Sequence, residues 1–251
     1  MLVEAVHGAS DLTLSGALDI ASSPAIGTDP LAVLGAQGPV RITADLQEGL
    51  HCADVLIDFT RPAATLTHLE ACANSGTRMV IGTTGFTEME RTRLLDASRD
   101  VAIVFSPNMS IGVNVAMKLI AQATAALAAS CDIEIFESHH RDKVDAPSGT
   151  ALKMGEVVAA AQGKLLADIA VHARYGHTGP RAAGSVGFSA VRGGDVVGEH
   201  TVMFLGAGER IEITHRSTSR ANYAQGSLRA ARFVAGRAAG LYDMDDVLGL
   251  R

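Results

Sequence analysis

Apolar runs and amphipathic stretches alternate along the first 107 residues. Leu12–Leu18 reads as a short apolar strand. Val55–Phe59 (VLIDF) is a continuous apolar run, the pattern of a strand covered on both faces. Pro62–Asn74 has helical spacing with a proline in the first turn, where the missing N–H costs nothing. Met79–Ile81 is a second buried strand and ends at Gly82-Thr83-Thr84-Gly85. Glu88–Ala97 is helical, and Val101–Phe105 is again a buried strand. Repeated strand-then-helix order with buried strands predicts an α/β fold with a doubly wound parallel sheet.

The pattern changes after Asn108. Val113–Ala129 predicts a long Ala-rich helix. Ile133 and Ile135 alternate with Glu134 and Phe136 into His139-His140, as along a strand. Ala151–Ala161 is helical. Ser185–Val191, Val196–Phe204 and Arg210–His215 are strand-like. The Gly-rich turns between them, Arg192-Gly193-Gly194-Asp195 and Gly206-Ala207-Gly208, predict an antiparallel meander. Residues 221–240 return to helix. Two domains fit this order, 1–109 plus 220–251 and 110–219, the first resumed by the C-terminal helix.

Composition narrows the function. Hydrophobic residues make up 47% of the 251 and charged residues 19%, enough for a well-buried core. No apolar run approaches the roughly 18 residues that span a bilayer. The opening MLVEAVHGAS lacks a basic segment followed by an apolar one, so no secretory signal is expected and the location reads as cytoplasmic. A net charge of -6 argues against nucleic acid, which needs a basic face. Trp is absent and aromatics are 4%, which argues against base stacking. Cys52, Cys72 and Cys131 are far apart and in apolar surroundings, as expected of small buried residues in a reducing compartment.

The densest chemistry lies in residues 137–150, Glu-Ser-His-His-Arg-Asp-Lys-Val-Asp-Ala-Pro-Ser-Gly-Thr. His139, His140, Arg141 and Lys143 are cationic or can become so. A turn, Asp145-Ala146-Pro147, follows. Ser148-Gly149-Thr150 then opens a helix whose free N–H groups bind anions. Proton donor, positive charge and carboxylate cradle together suit a small, multiply anionic substrate. On a continuing strand His139 and His140 face opposite ways, so one alone serves a given substrate atom. Two other readings stand beside this one. Zinc on His139 with Asp142 or Asp145 lacks the HxxxH or HxxE spacing of a metal site, so no metal is expected. A surface cationic cluster without function is the other.

Asp58-Phe-Thr-Arg-Pro62, Gly82–Gly85 and Ser106–Met109 all fall at the carboxyl ends of expected parallel strands, where open α/β sheets bind ligands. Each alone is an ordinary turn; three in one sheet point to a cofactor. Asp19, after the first strand, is either an acceptor for ribose hydroxyls or an aspartate opening a loop. His177 lies in the loop Tyr175–Gly179 and reads as structural. His200 and His215 lie in strands and read as packing or interface residues.

The segment 137–150 resembles the signature of the 4-hydroxy-tetrahydrodipicolinate (dihydrodipicolinate) reductase family. Ile57–Pro62, Val80–Phe86, Gly176–Gly179, Gly194–Thr201 and Gly240–Leu248 resemble it too, in the family's order, so the resemblance spans the chain. It implies a Rossmann-like domain and a second α+β domain of mixed sheet, for substrate binding and tetramerisation. It implies NADH or NADPH as cofactor, a cyclic dicarboxylate as substrate, a homotetramer, and a step of lysine and diaminopimelate synthesis in the bacterial cytoplasm. By motif, His139 is proton donor and acceptor and Lys143 a proton donor. His140, Gly149 and Thr150 hold substrate carboxylates. Asp19, Gly82, Thr83, Thr84, Ser106, Pro107, Asn108 and Met109 contact the cofactor. NADH is favoured, because Ile20 follows Asp19 and no Arg or Lys occurs before Arg41 to hold a 2′-phosphate. One departure accompanies the resemblance. Such enzymes open with a strand and a GxGGxMG-type loop, whereas Met1–Val6 reads as the middle of the first helix. The start is therefore expected to be incomplete. The alternative function is a cofactor-free binding or assembly protein that keeps the substrate pocket and the oligomer sheet.

Overall fold

A computed structural model describes residues 1–251. The chain forms two units, Met1–Ile111 with Ala221–Arg251, and Gly112–Arg220.

In the first unit, strands β3 (Val55–Asp58), β4 (Arg78–Ile81), β5 (Ala102–Phe105) and β11 (Gly240–Tyr242) form a parallel sheet in the order β11-β5-β4-β3. Alternation splits the apolar side chains of the inner strands between two cores. Met79, Ile81 and Ile103 pack with Leu66, Leu69 and Cys72 of helix α3 (Pro62–Ser75) and Leu94 of α4 (Glu88–Ala97). Val80 and Val104 pack with Ala230, Ala231 and Val234 of α8 (Ala221–Ala235) and with Met244 of α9 (Met244–Leu248). Helix α3 stops at Gly76, whose φ of 74° suits a residue without Cβ. Helix α4 opens with a capping box between Thr87 and Glu90.

Four expectations for this unit change. Only Ala17–Leu18 of the 12–18 run is strand (β1), paired in parallel with β2 (Ile42–Thr43) in a separate two-stranded sheet. At Gly16 the chain runs against Gly49, where a Cβ would sit 2.0 Å from the carbonyl oxygen. Strand β3 is not covered on both faces: Val55, Leu56 and Ile57 are half-buried, because β3 pairs with β4 alone. Residues 221–240 are not one helix; α8 ends at Ala235, and Gly240–Tyr242 joins the sheet beside β5. Cys52 is exposed, at φ 61° in the turn after helix α2 (Leu46–Leu50), whereas Cys72 is buried and Cys131 half-buried. Helix α1 spans Leu2–His7 and buries none of its residues.

In the second unit, β6 (Asp132–His139), β7 (Ala170–Val171), β8 (Val186–Arg192), β9 (Gly198–Leu205) and β10 (Arg210–Ser217) form a mixed sheet in the order β10-β9-β6-β8-β7. Ile133, Ile135, Phe188, Val202 and Phe204 pack on Ala116 and Ile120 of α5 (Ile111–Leu127) and on Met154 and Val158 of α6 (Gly149–Ala161). The expected meander is corrected here. Strands β9 and β10 are an antiparallel hairpin, but β8 is parallel to β6, and β6 lies between β8 and β9. The turn after Arg192 therefore bridges two strand spacings, about 10 Å. It crosses the end of β6, with Gly193 N–H donating to the His139 carbonyl at 3.0 Å and the Gly194 carbonyl accepting from Arg141 N–H at 3.2 Å. Gly194 takes φ 55° there.

Candidate active site

Strand β6 carries its inward side chains at every second residue. Ile133 and Ile135 begin that face, and Glu137 and His139 continue it. A carboxylate and an imidazole thus replace the apolar side chains at the carboxyl end of the strand. Glu137 is 1% exposed and every acceptor position on it is used. Its Oε2 accepts from His139 Nδ1 at 2.6 Å and from Arg192 Nη1 at 2.7 Å. Its Oε1 accepts from Arg192 Nη2 at 2.7 Å and from Ser148 N–H at 3.1 Å. The register explains the meeting, since His139 lies beside Arg192 of β8, and Glu137 beside His200 of β9. Burial pushes the Glu137 carboxyl up, but the hydrogen bonds of Arg192, His139 and Ser148 together hold it below the usual carboxylate range. The same carboxylate raises Arg192.

His200 completes the cluster. It is buried, its ring centroid is 5.1 Å from that of His139, and its Nε2 is 2.9 Å from Ser148 Oγ. Burial, with the neighbouring His139 adding to it, pushes His200 down to about 4. His200 is therefore neutral at pH 7, and its Nδ1 has no hydrogen-bond partner.

Ser148 caps α6, its Oγ accepting from Ala151 N–H at 3.2 Å. Gly149 and Thr150 supply the first N–H groups of the helix, which have no intrahelical acceptor. A Cβ at Gly149 would meet nothing within 4 Å, so this helix start is open. Lys143 is partly buried and its Nζ donates to Asp145 Oδ1 at 2.7 Å, which pulls the Asp145 carboxyl down. Arg192 Nη2 also donates to the Asp145 carbonyl at 2.6 Å, tying the turn to the Glu137 cluster. His140 lies past the strand end, half-buried, and lines a cleft of about 610 Å³ with Arg141, Asp142, Asp195 and Arg220. The zinc alternative finds no ligand set, because no three His, Cys, Asp or Glu side chains converge to hold an ion. His177 is exposed in its loop.

In the first unit the candidate cofactor residues follow β1, β4 and β5. Gly82 lies under the Phe59 ring, which a Cβ would strike at 2.2 Å. Thr83 is buried: its Oγ1 accepts from Thr65 at 2.9 Å and donates to Asp58 at 3.4 Å. Thr84 is exposed. Asp58, 2% exposed, ties the loop after β3 to that after β4, accepting from Thr60 N–H and Oγ1 at 2.7 Å each and from Thr83, and lying 2.7 Å from His68 Nδ1. Burial raises the Asp58 carboxyl, and the bonds to His68 and Thr60 outweigh it, so the net shift is downward. Ser106 Oγ donates to the Asn108 carbonyl at 2.9 Å, and Pro107 is exposed between them. The Met109 side chain is buried in the core and its carbonyl packs on Gly226. Asp19 is exposed, and its Oδ1 accepts from Ile20 N–H at 2.8 Å; Ser23 and this N–H hold its carboxyl low.

Sequence reasoning did not name Glu137, Arg192 or His200 among the candidate site residues, and it placed Asp58 in a candidate loop without giving it a role of its own. For Glu137 a signal existed, because it shares the strand face of two isoleucines and a histidine. Arg192 gave none, because its neighbour His139 is set by a parallel pairing with a residue 53 positions earlier in the chain.

These features define a two-unit α/β protein, with one unit of Rossmann type and another carrying a buried acid–base cluster beside an open helix start. The chain belongs to the dihydrodipicolinate reductase family: residues 1–109 match its N-terminal region and residues 112–248 its C-terminal region. It is 61% identical over its whole length to the 4-hydroxy-tetrahydrodipicolinate reductase of Herminiimonas arsenicoxydans, of which it covers 94%. It is 58% identical, again over its whole length, to that of Burkholderia pseudomallei strain 668, of which it covers 95%. Among solved structures, a dipicolinate-bound dihydrodipicolinate reductase from Paenisporosarcina sp. TG-14 shares the fold. Its TM-score is 0.78 at 24% identity, over 98% of this chain and 92% of that one.

Proposed function

We propose that this chain reduces (2S,4S)-4-hydroxy-2,3,4,5-tetrahydrodipicolinate to tetrahydrodipicolinate with NADH or NADPH, in lysine and diaminopimelate synthesis. The observation that carries the reading is the Glu137–His139 pair, 2.6 Å apart at the end of β6, with Glu137 also bonded to the residue that caps α6. The relatives that match the whole chain at 58–61% identity support it, and no observation favours a cofactor-free binding protein.

Water leaves the hydroxylated substrate to give a cyclic, conjugated imine, to which one hydride and one proton add. The cofactor, when bound, supplies the hydride. His139 donates the proton that quenches the developing negative charge, a task suited to an imidazole near neutral pH. Lys143 is a second proton donor, and its ammonium stabilises developing charge. Gly149 and Thr150 N–H groups, with His140, hold the two carboxylates at the positive end of α6. His200, neutral, adds no competing charge.

Residues 1–109 with 220–251 form the dinucleotide-binding domain, and 110–219 the domain for substrate and tetramerisation. Asp19, Gly82, Thr83, Thr84, Ser106, Pro107, Asn108 and Met109 hold the cofactor. The fit rests on Gly82, bare backbone at the carboxyl end of a parallel strand, and on Asp19, an exposed carboxylate available to ribose hydroxyls. NADH is preferred because that carboxylate repels a 2′-phosphate.

The protein is a homotetramer. Phe136, Thr201, Met203 and Leu205 are half-buried on the sheet face turned away from Ile133, Ile135, Val202 and Phe204, and a second copy would cover them. No helix is long and apolar enough to cross a membrane. Its free cysteines suit the cytoplasm, where reduced nicotinamide is available.

The test is oxidation of NADH or NADPH by the purified protein, with and without the hydroxylated dicarboxylate. Substrate-dependent oxidation is expected. Its absence in a folded protein that binds NADH overturns the proposal. Light scattering of the eluted peak tests the tetramer.

A further inference from the structure

We propose that Glu137 is the positioning residue of this site and that Arg192 tunes it, so that one buried carboxylate fixes both the proton donor and the carboxylate cradle. The inference rests on the reading of His139 as proton donor.

The geometry allows Glu137 little freedom. Its carboxylate accepts four hydrogen bonds, two on each oxygen, from three different segments: His139 on its own strand, Arg192 on β8, and Ser148 at the head of α6. A bidentate guanidinium fixes the plane of the carboxylate. That plane aims Oε2 at Nδ1 of His139, so a neutral His139 keeps its proton on Nδ1 and leaves Nε2 to exchange a proton with substrate. The other oxygen holds the N–H of Ser148, the residue that begins the turn into Gly149 and Thr150. Moving the carboxylate disturbs donor and cradle together.

Charge is the second half of the argument. An imidazolium at His139 is stabilised by Glu137 and destabilised by Arg192, which shares the same carboxylate. Other titratable or charged groups near it include His140 and Arg141 on its own chain, Lys143 and Asp145 in the following turn, and Glu199 and His200 on β9. Lys143 is paired with Asp145, and His200 is uncharged at neutral pH. Glu137 and Arg192 are the two charges tied to His139 through one shared carboxylate, and they act on it in opposite directions.

The opposed signs give a test that a merely structural role does not pass. The readout is kcat against pH for the full-length protein, wild type and variants, with NADH affinity measured alongside. In wild type, the alkaline limb of kcat reports the proton donor of the reaction. Glu137→Gln keeps the shape but removes the charge. It is expected to lower kcat by roughly 10²–10⁴-fold and to move the alkaline limb down by about one pH unit or more. Arg192→Gln is expected to move that limb up. The double variant returns it toward wild type, and NADH affinity is unchanged throughout. Shifts of the same sign in both single variants, or a Glu137→Gln profile superimposable on wild type, overturn the proposal. If Glu137→Gln fails to fold, the direction of the Arg192→Gln shift decides alone. His139→Gln separates the two levels. If it keeps turnover and the alkaline limb, the assignment of His139 is wrong. If it loses both while Glu137→Gln matches wild type, only the positioning role is wrong.

Discussion

The two units carry chemistry in different ways. In the first, the candidate ligand-binding residues are loops at the carboxyl ends of parallel strands, and what they offer is mostly backbone: Gly82 under Phe59, and Met109 with its side chain spent in the core. In the second, the candidate chemistry lies on the sheet itself, in side chains held by a closed set of hydrogen bonds around Glu137. A backbone site depends on the strands that aim it and tolerates many side-chain changes. A side-chain site depends on each partner. Substitutions in the second unit should therefore remove activity with little loss of stability, and core substitutions in the first should do the reverse.

After His139 and Glu137, the largest effect on activity is expected at Lys143. Lys143→Ala removes the ammonium beside Asp145 and should lower kcat by roughly 10²–10³-fold, the cost of one donor aimed at developing charge. Its Tm should stay close to wild type. A normal kcat would move the proton donors elsewhere and blur the contrast. Stability sharpens it from the other side. Ile103, wholly buried in β5, should lose about 2–5 kcal/mol as Ile103→Ala. Leu56 in half-buried β3 should lose about 1 kcal/mol as Leu56→Ala. Equal losses in urea unfolding would mean that β3 is as enclosed as β5.

A smaller effect comes from His200. Its folded value of about 4 lies below the ordinary histidine value of 6.5, so the unfolded chain binds more protons between these pH values. Stability is full above the unfolded value and falls as pH drops from 6.5 toward 4. Between pH 6.5 and 5 the loss is about 2 kcal/mol. His200→Gln should flatten that slope, as read from Tm at successive pH values; an unchanged slope would assign it to other groups. The smallest effect is at Asp19, where the carboxylate is fully in water. Asp19→Ala should narrow the ratio of kcat/KM for NADH over NADPH by roughly ten-fold or less. A wild type that prefers NADPH would show that a basic group from another part of the chain reaches the site.

Local order carried far in this sequence. The run 137–150 was legible because proton donors, cations and a helix start share one short segment, and the strand-then-helix order of residues 55–105 appears in the sheet β5-β4-β3. What sequence could not carry was pairing between distant strands. The turn at Arg192–Asp195 has the residues of a hairpin, yet it spans the end of β6, because β6 takes the centre of the sheet. The same insertion brings Arg192 and His200 to Glu137, so the misread meander and these two unforeseen neighbours of Glu137 have one cause. Helix was carried too far, to residue 240, and strand β11 went unseen, because three residues at a sheet edge show no period. Leu12–Gly16 failed as a strand because Gly16 runs into close contact with Gly49 rather than along a partner strand.

The most direct test of the central claim is His139→Gln, measured for kcat with the hydroxylated dicarboxylate and, separately, for NADH affinity. A proton donor fixed within the second unit predicts a kcat lower by roughly 10²–10⁴-fold with NADH binding intact. A kcat near that of wild type would contradict it.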